Sequence, residues 1–193
     1  MVRVAPMRAR AILGETPNGL KISIPSRKNP FMLIFLPVWL VGWAFGEFFV
    51  ARTIVVPPGG SPAPILFLVV WLTFWTLGGA FAIYAFLWTA VGREVVLLRP
   101  DALVIRSQVF NLGRSREYDL NAIRNLRVAA TPFNPFDFRS GLQFWGIGGG
   151  LIAFDYGAGT IRFGSAVQEG EASDIVSNLK RRYPFAVSNR EHR

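Results

Sequence analysis

Few side chains in this sequence have the types and spacing that catalysis or metal binding requires. The chain has no cysteine, and its single histidine, His192, is next to the last residue. Thiolate nucleophiles, disulfides and zinc–thiolate sites are therefore excluded, and no Ser-His-Asp set can be assembled. Asp101, Asp119, Asp137 and Asp155 each lie in or beside a predicted turn, where the backbone favours aspartate. We expect a protein that is not an enzyme and that binds no metal or cofactor.

Two further features could carry chemistry, and each also has an ordinary structural explanation. Glu47 is the one charged residue in the apolar run 31–51, and an acid in such a run could serve a proton or ion pathway. It lies close enough to the outer end of the run to reach water or to pair near Arg52. The glycine run 146–150 could cradle a phosphate, but it matches neither GxGxxG nor the P-loop. A flexible connection between strands is favoured there.

Two long apolar runs predict a transmembrane helical hairpin. Run 31–51 contains only Glu47 as a charged residue, and run 65–91 contains none. A bilayer core about 30 Å thick requires roughly 20 apolar residues in a helix, and both runs reach that length. The loop between them, VVPPGGSPAP, is rich in proline and glycine and has little room for a site. The bilayer is therefore the first partner that the sequence predicts.

The basic residues predict how the hairpin is oriented. The net charge is +9; segment 1–30 is rich in lysine and arginine, and Arg93 and Arg99 follow the second run, whereas the loop carries only Arg52. Basic residues accumulate on the cytoplasmic side, so both termini are predicted to be cytoplasmic, at a bacterial inner membrane and without a cleaved signal peptide. Topology and solubility explain this charge; attraction to anionic lipid is the alternative. No nucleic-acid-binding motif is present, so no nucleic acid partner is expected.

Both runs contain the motif VWLxxWxxG, beginning at Val38 and at Val70. The tryptophans of each copy are four residues apart and share one helix face with glycines. Small residues let helices approach closely in lipid, so we expect a tight hairpin in which glycines receive aromatic rings of the other helix. The alternative is a surface that docks another membrane subunit, a lipid or a pigment. The residues concerned are Trp39, Gly42, Trp43, Gly46, Trp71, Trp75, Gly78 and Gly79, with Trp43 and Trp75 near the midplane.

After Gly92 the pattern changes to β-strands and a final helix. The helix is predicted to have Ser165 as its N-cap and a stripe of Ala172, Ile175, Val176 and Leu179 facing the sheet. The predicted organisation is an N-terminal segment (1–30), the hairpin (31–91), a mainly antiparallel β domain with a C-terminal helix (92–183) and a tail (184–193). The fold class is an α+β membrane protein. Strands are predicted at 94–98, 102–110, 114–120, 123–129, 142–145, 151–156 and 160–163, and residues 21–24 could add an edge strand.

An aromatic loop in this domain is the main candidate for contact with the membrane. Phe133, Phe136 and Phe138 alternate with turn-forming residues, and Arg139 follows them. Aromatic rings suit the membrane interface, with arginine at the phosphates. Ordinary packing onto the domain is the favoured alternative, and contact with a membrane or partner is the other.

Several segments together carry a family resemblance: residues 27–47, 66–88, GREVV at 92–96, SREYDL at 115–120 with IRNLRV at 123–128, and 154–184. In these the chain resembles small bacterial membrane proteins that combine a two-helix transmembrane hairpin with a PH-like cytoplasmic domain. The resemblance implies no catalytic residues, and it favours binding, because PH-like modules bind peptides, proteins or lipids.

The leading hypothesis is therefore a scaffold, assembly factor or accessory subunit that binds a membrane protein or a second copy of the chain. A lipid- or small-ligand-binding module at the cytoplasmic face is the alternative. A transport or channel role centred on Glu47 is a third possibility, and it would require oligomerisation because two spans cannot enclose a pathway.

Overall fold

The computed structural model describes residues 11–17, 19–56, 64–129 and 149–183. These residues divide between a helical unit, Lys28–Ala90, and a β-rich unit formed by the chain on either side of it. Two long apolar helices, mainly antiparallel sheet and a C-terminal helix confirm the predicted α+β layout. The elements are β1 (Ile12–Thr16), β2 (Gly19–Pro25), α1 (Pro30–Val55), α2 (Ile65–Val91), β3 (Arg93–Leu98), β4 (Ala102–Val109), β5 (Leu112–Asp119), a 3-10 turn (Leu120–Ala122), β6 (Ile123–Val128), β7 (Ile152–Tyr156), β8 (Gly159–Phe163) and α3 (Glu169–Arg182).

The helical unit consists of two helices that are long and apolar enough to cross a membrane. Asn29 caps α1 by accepting a hydrogen bond from the Met32 amide, and Pro30 occupies the first turn, where its missing N–H is not needed. Only 6% of the most apolar stretch of α1 and 11% of that of α2 is buried. A helix in the core of a water-soluble domain would bury its apolar stripe. These helices instead present apolar side chains outward along their length.

The β-rich unit contains a five-stranded antiparallel sheet in the order β1-β2-β3-β4-β5 and a three-stranded antiparallel sheet in the order β6-β7-β8. Strands β2 and β3 are paired from Leu20 and Leu98 to Pro25 and Arg93. The two apolar helices are therefore an insertion between neighbouring strands of one sheet. The strand predicted at 21–24 is internal rather than an edge strand, because β1 pairs with its other side. The N-terminal segment thus contributes strands to the same sheet as the residues after α2.

The core of the β-rich unit lies between the sheets and α3. Strand alternation explains its composition: Ile22 and Ile24 of β2 and Val96 of β3 are fully buried, as are Phe154 and Phe163 of the second sheet. Helix α3 buries its predicted stripe, Ala172, Ile175, Val176 and Leu179, which confirms that expectation.

The start of α3 differs from the prediction. The helix begins at Glu169 with Gln168 as its N-cap, so Ser165 is not the cap. The intervening Ala166 and Val167 are buried in the core. Burial of these two side chains holds the chain in a turn, and the helix starts only after it.

Candidate functional site

The centre of the helical unit is formed by two reciprocal contacts between tryptophan and glycine. The Trp43 ring lies directly on Gly79, where an added Cβ would overlap ring carbons Cε2 and Cζ2 and lie 2.7 Å from Nε1. In the other direction, a Cβ on Gly46 would lie 3.5 Å from Cζ2 of Trp75. The Trp43 indole N–H also donates a hydrogen bond to the Trp75 carbonyl at 3.1 Å. Each helix therefore supplies one ring and one glycine, and a polar bond closes the contact.

The remaining members of the two motifs divide between this contact and the outer surface. Trp71 stacks on Trp75 with ring centroids 4.6 Å apart, and Trp39 lies 6.5 Å from Trp75. Gly42 and Gly78 are exposed, and an added Cβ at either position would meet nothing within 4 Å. The contact glycine of α2 is thus Gly79, one residue beyond the motif. One residue turns a helix by about 100°, which carries Gly78 off the helix–helix interface.

Glu47 contacts the neighbouring helix. Its Oε1 accepts a hydrogen bond from Thr76 Oγ1 at 2.5 Å, and the same hydroxyl lies 2.8 Å from the Leu72 carbonyl. The other carboxylate oxygen and the Trp75 indole nitrogen are buried and have no hydrogen-bond partner among the described residues. Within those residues Glu47 forms no ion pair with Arg52, which was one of the two alternatives that the sequence offered. A threonine on α2 holds the carboxylate instead.

A second buried carboxylate, Glu94, lies at the start of β3. Its Oε2 accepts a hydrogen bond from the Gly164 amide at 2.7 Å, which ties the first sheet to the segment after β8. Burial raises the pKa of Glu94 to about 7, against the opposing effect of backbone hydrogen bonds from Gly164 and Ser165. Sequence reasoning missed this residue. The available signal was strand alternation, which places Glu94 on the same face as Val96 and Leu98.

Asp155 of β7 organises an irregular part of the second sheet. Its carboxylate accepts hydrogen bonds from Thr160 at 2.8 Å, Asn125 at 3.2 Å and Arg127 at 3.0 Å. Desolvation raises the pKa of Asp155, but these three partners outweigh it and lower the pKa overall. Pairing of β6 with β7 shifts between Arg124 and Arg127, and Asn125 has a φ of 53° there. Asp155 therefore stabilises a bulge, which is a structural task.

The turn between β4 and β5 is displaced from its predicted position. The sequence predicts a strand to residue 110 and a turn over 111–113. In the structure Val109 pairs with Leu112, and the turn consists of Phe110 and Asn111. Two-residue hairpin turns with positive φ match the twist of the flanking strands. This register places Gly113 in the strand, where an added Cβ would overlap the Ser107 carbonyl.

The other candidate residues contribute no assembled site. Among residues 11–17, 19–56, 64–129 and 149–183, no three His, Cys, Asp or Glu side chains are grouped so that they could hold a metal ion. The aromatic loop of Phe133, Phe136, Phe138 and Arg139 lies outside the described residues, as do His192 and most of the glycine run. No family model, curated protein or solved structure matches the chain.

Proposed function

We propose that this chain is an integral membrane protein without catalytic activity, in which a two-helix transmembrane hairpin holds a PH-like domain at the cytoplasmic face of a bacterial inner membrane. In this proposal the protein acts as a scaffold, assembly factor or accessory subunit. It binds another membrane protein, or a second copy of itself, through the hairpin and the domain.

One observation carries the proposal: an outward-facing apolar hairpin is inserted between two paired strands. Most of the large side chains of α1 and α2 are exposed, as at Ile34, Phe45, Leu66 and Phe74. Such a surface is stable in hydrocarbon and would aggregate in water. Because β2 and β3 are neighbours, the chain must leave and re-enter the sheet at one place. A return to the same side of the membrane requires an even number of crossings, as two helices provide.

The scaffold role is supported by two glycines that the contact between α1 and α2 does not use. The rings of Trp43 and Trp75 are occupied by the neighbouring helix, whereas Gly42 and Gly78 remain open on the outer surface. Small residues are where a further helix could approach closely in lipid. The PH-like interpretation rests on the layout of two antiparallel sheets followed by a C-terminal helix. It makes the hairpin an insertion within that domain.

Membrane insertion can be tested by labelling single cysteines, since the native chain has none. In sealed vesicles, a label at Phe74→Cys in α2 should be quenched by lipid-borne quenchers. A label at Asp101→Cys, in the exposed turn between β3 and β4, should react with an impermeant reagent from the cytoplasmic side only. A water-accessible label at position 74 would overturn membrane insertion.

The scaffold role can be tested with a photo-crosslinking side chain at Gly42 or Gly78 in native membranes. The expected product is one discrete protein adduct, which disappears when the other open glycine is replaced by leucine. Leu36, which is buried within the helical unit, provides the matched control position and should give no intermolecular adduct. If both open positions yield lipid adducts alone, the scaffold role is rejected and the membrane anchor stands.

A further inference from the structure

The end of the first sheet that connects to the apolar helices also carries the turn between β4 and β5. Pro25 and Arg93 are paired at this end, and the Ser26 amide donates to the Gly92 carbonyl at 3.0 Å. Arg93 is also paired with Gln108 of β4, two residues before the turn. Both chain connections and the turn therefore leave the sheet at the same end.

The turn presents an aromatic ring from an unfavourable backbone conformation. Phe110 has a φ of 50° and Asn111 a φ of 67°. Turns with two positive φ values favour asparagine and glycine, and a bulky residue in that region is an outlier. Phe110 is nevertheless 62% exposed, and Leu112 beside it is 80% exposed. The register of the hairpin sets this turn, and the turn buries neither side chain within the β-rich unit, so both are available for a contact outside that unit.

The two strands that flank the turn carry positive charge. Residues 102–116 contain arginines at 106, 114 and 116 and no acidic residue. Arg93 reaches the turn itself, where its Nη2 donates to Asn111 Oδ1 at 3.4 Å. Arg106 and Arg114 are exposed, and neither forms an ion pair with another described residue. Exposed apolar side chains at a turn whose flanking strands carry arginines are suited to an apolar layer below a layer of phosphates.

We propose that the tip of the β4–β5 hairpin, Phe110 to Leu112, inserts into the headgroup layer of a bilayer rich in anionic phospholipid. The inference rests on the proposed function, because the bilayer is the one that α1 and α2 span. Arg93 follows Val91, the last residue of α2, by two residues, which extend at most about 7 Å. The sheet end that carries the tip is therefore joined to the end of α2 by a short connection. Phe110 and Leu112 lie at the inner boundary of the headgroup layer, below the phosphates, and Arg93, Arg106 and Arg114 contact phosphates.

The test uses the full chain reconstituted into vesicles, with an environment-sensitive fluorophore on Leu112→Cys. Position 112 is chosen because it lies in a regular strand and avoids the strained φ of Phe110. Asp101→Cys, in an exposed turn at the opposite end of β4, is the matched control, and Phe74→Cys reports insertion of α2. The label at 112 should be quenched by lipid-borne nitroxide and protected from aqueous iodide. The label at 101 should be quenched by aqueous iodide and not by the nitroxide.

A second set of measurements varies the lipid charge and the residues of the hairpin. An anionic surface contributes about fivefold in affinity for each nearby arginine. Arg106→Gln and Arg114→Gln should each lower the ratio of inserted to water-exposed label by about that factor. Phosphatidylcholine vesicles should give less insertion than vesicles containing phosphatidylglycerol. Phe110→Asn, which suits a positive φ and so preserves the turn, should also reduce insertion.

The outcomes separate this inference from the proposed function. The label at 112 could be quenched by aqueous iodide, like the label at 101, while the label at 74 is quenched from lipid. That result overturns the inserted tip and leaves the membrane anchor intact. A label at 112 protected from both quenchers indicates burial against protein and also overturns it. Insertion that is indifferent to lipid charge and to both arginine variants removes the anionic lipid as the ligand. A water-accessible label at 74 overturns the proposed function itself.

Discussion

Replacement of Gly79 by alanine is the sharpest test of how the two apolar helices are held together. An added Cβ at this position overlaps two carbons of the Trp43 ring and lies 2.7 Å from its nitrogen. Ordinary contacts between carbon atoms are about 3.5–4.0 Å, so the ring or the helix must move by more than about 1 Å. The neighbouring Gly78→Ala adds the same methyl group to an open surface, and it is therefore the matched control.

The expected difference in the free energy of unfolding between Gly79→Ala and Gly78→Ala follows from the contributions that the two variants do not share. Alanine is favoured over glycine in a helix by up to about 1 kcal/mol, and this gain is common to both. Overpacking at Gly79 costs about 1–3 kcal/mol. Displacement of the ring also breaks the bond from Trp43 Nε1 to the Trp75 carbonyl, worth about 0.6 kcal/mol in a membrane protein. Gly79→Ala should therefore be about 1.6–3.6 kcal/mol less stable than Gly78→Ala.

The measurement is unfolding by sodium dodecyl sulfate added to mild-detergent micelles, followed by tryptophan fluorescence. Gly79→Ala should unfold at a lower fraction of dodecyl sulfate than wild type, and Gly78→Ala at the same or a higher fraction. Combining Gly79→Ala with Trp43→Ala removes the overlap, so the double variant should lose less than the sum of the single losses. Equal midpoints for the two alanine variants, or additive losses in the double variant, would refute the reasoning.

The other predictions concern substitutions at three carboxylates. Because burial raises the pKa of Glu94 in the folded protein from its ordinary 4.5 to about 7, the folded state binds the proton more tightly. The free energy of unfolding by urea should therefore fall as pH rises from 4.5 to 7, by up to about 3 kcal/mol, and Glu94→Gln should flatten that fall. The opposite sign applies to Asp155, whose pKa is lowered: its stabilisation is present above the unfolded pKa of about 4 and is lost at lower pH. Asp155→Asn should thus be less stable than wild type in urea at neutral pH, and the difference should shrink as the pH falls from the unfolded pKa through the lowered pKa of the folded state; a difference that stays constant in acid would contradict the charge-dependent role. Glu47→Leu removes the bond to Thr76 and should lower the dodecyl sulfate midpoint by the equivalent of about 0.6–2 kcal/mol, whereas Glu47→Gln keeps a carbonyl that accepts it and should stay near wild type. Equal losses in the two Glu47 variants would show that the Thr76 bond does not stabilise the hairpin.

Features that depend on residues close in sequence could be predicted. The lengths of the apolar runs place α1 and α2 to within a few residues, since a continuous apolar stretch is a local signal. The stripe on α3 was predictable for the same reason, because positions three and four apart share a helix face. Turn residues likewise marked most strand boundaries.

Features that depend on distant residues could not be predicted. The partner of β2 lies beyond both apolar helices, so its internal place in the sheet leaves no local signal. The distinction between Gly78 and Gly79 is set by the rotation of one helix against the other, and both glycines sit beside the same motif. The turn at Phe110 contradicts local preference, because Asn-Leu-Gly at 111–113 offers better turn residues than Phe-Asn. The pairing of β4 with β5 overrides this local preference, because its register places Gly113 where only glycine fits.

The insertion of both helices between β2 and β3 sets the order in which the protein can be made. Strand β2 is synthesised before α1, whereas its partner β3 emerges from the ribosome only after α2 is complete. The ladder between β2 and β3 therefore cannot form until both helices have been synthesised. A nascent chain that ends after α1 leaves β2 without its neighbour and the core open. Completion of the sheet thus acts as a checkpoint on synthesis of the whole hairpin, and under the proposed function it follows entry of the hairpin into the membrane.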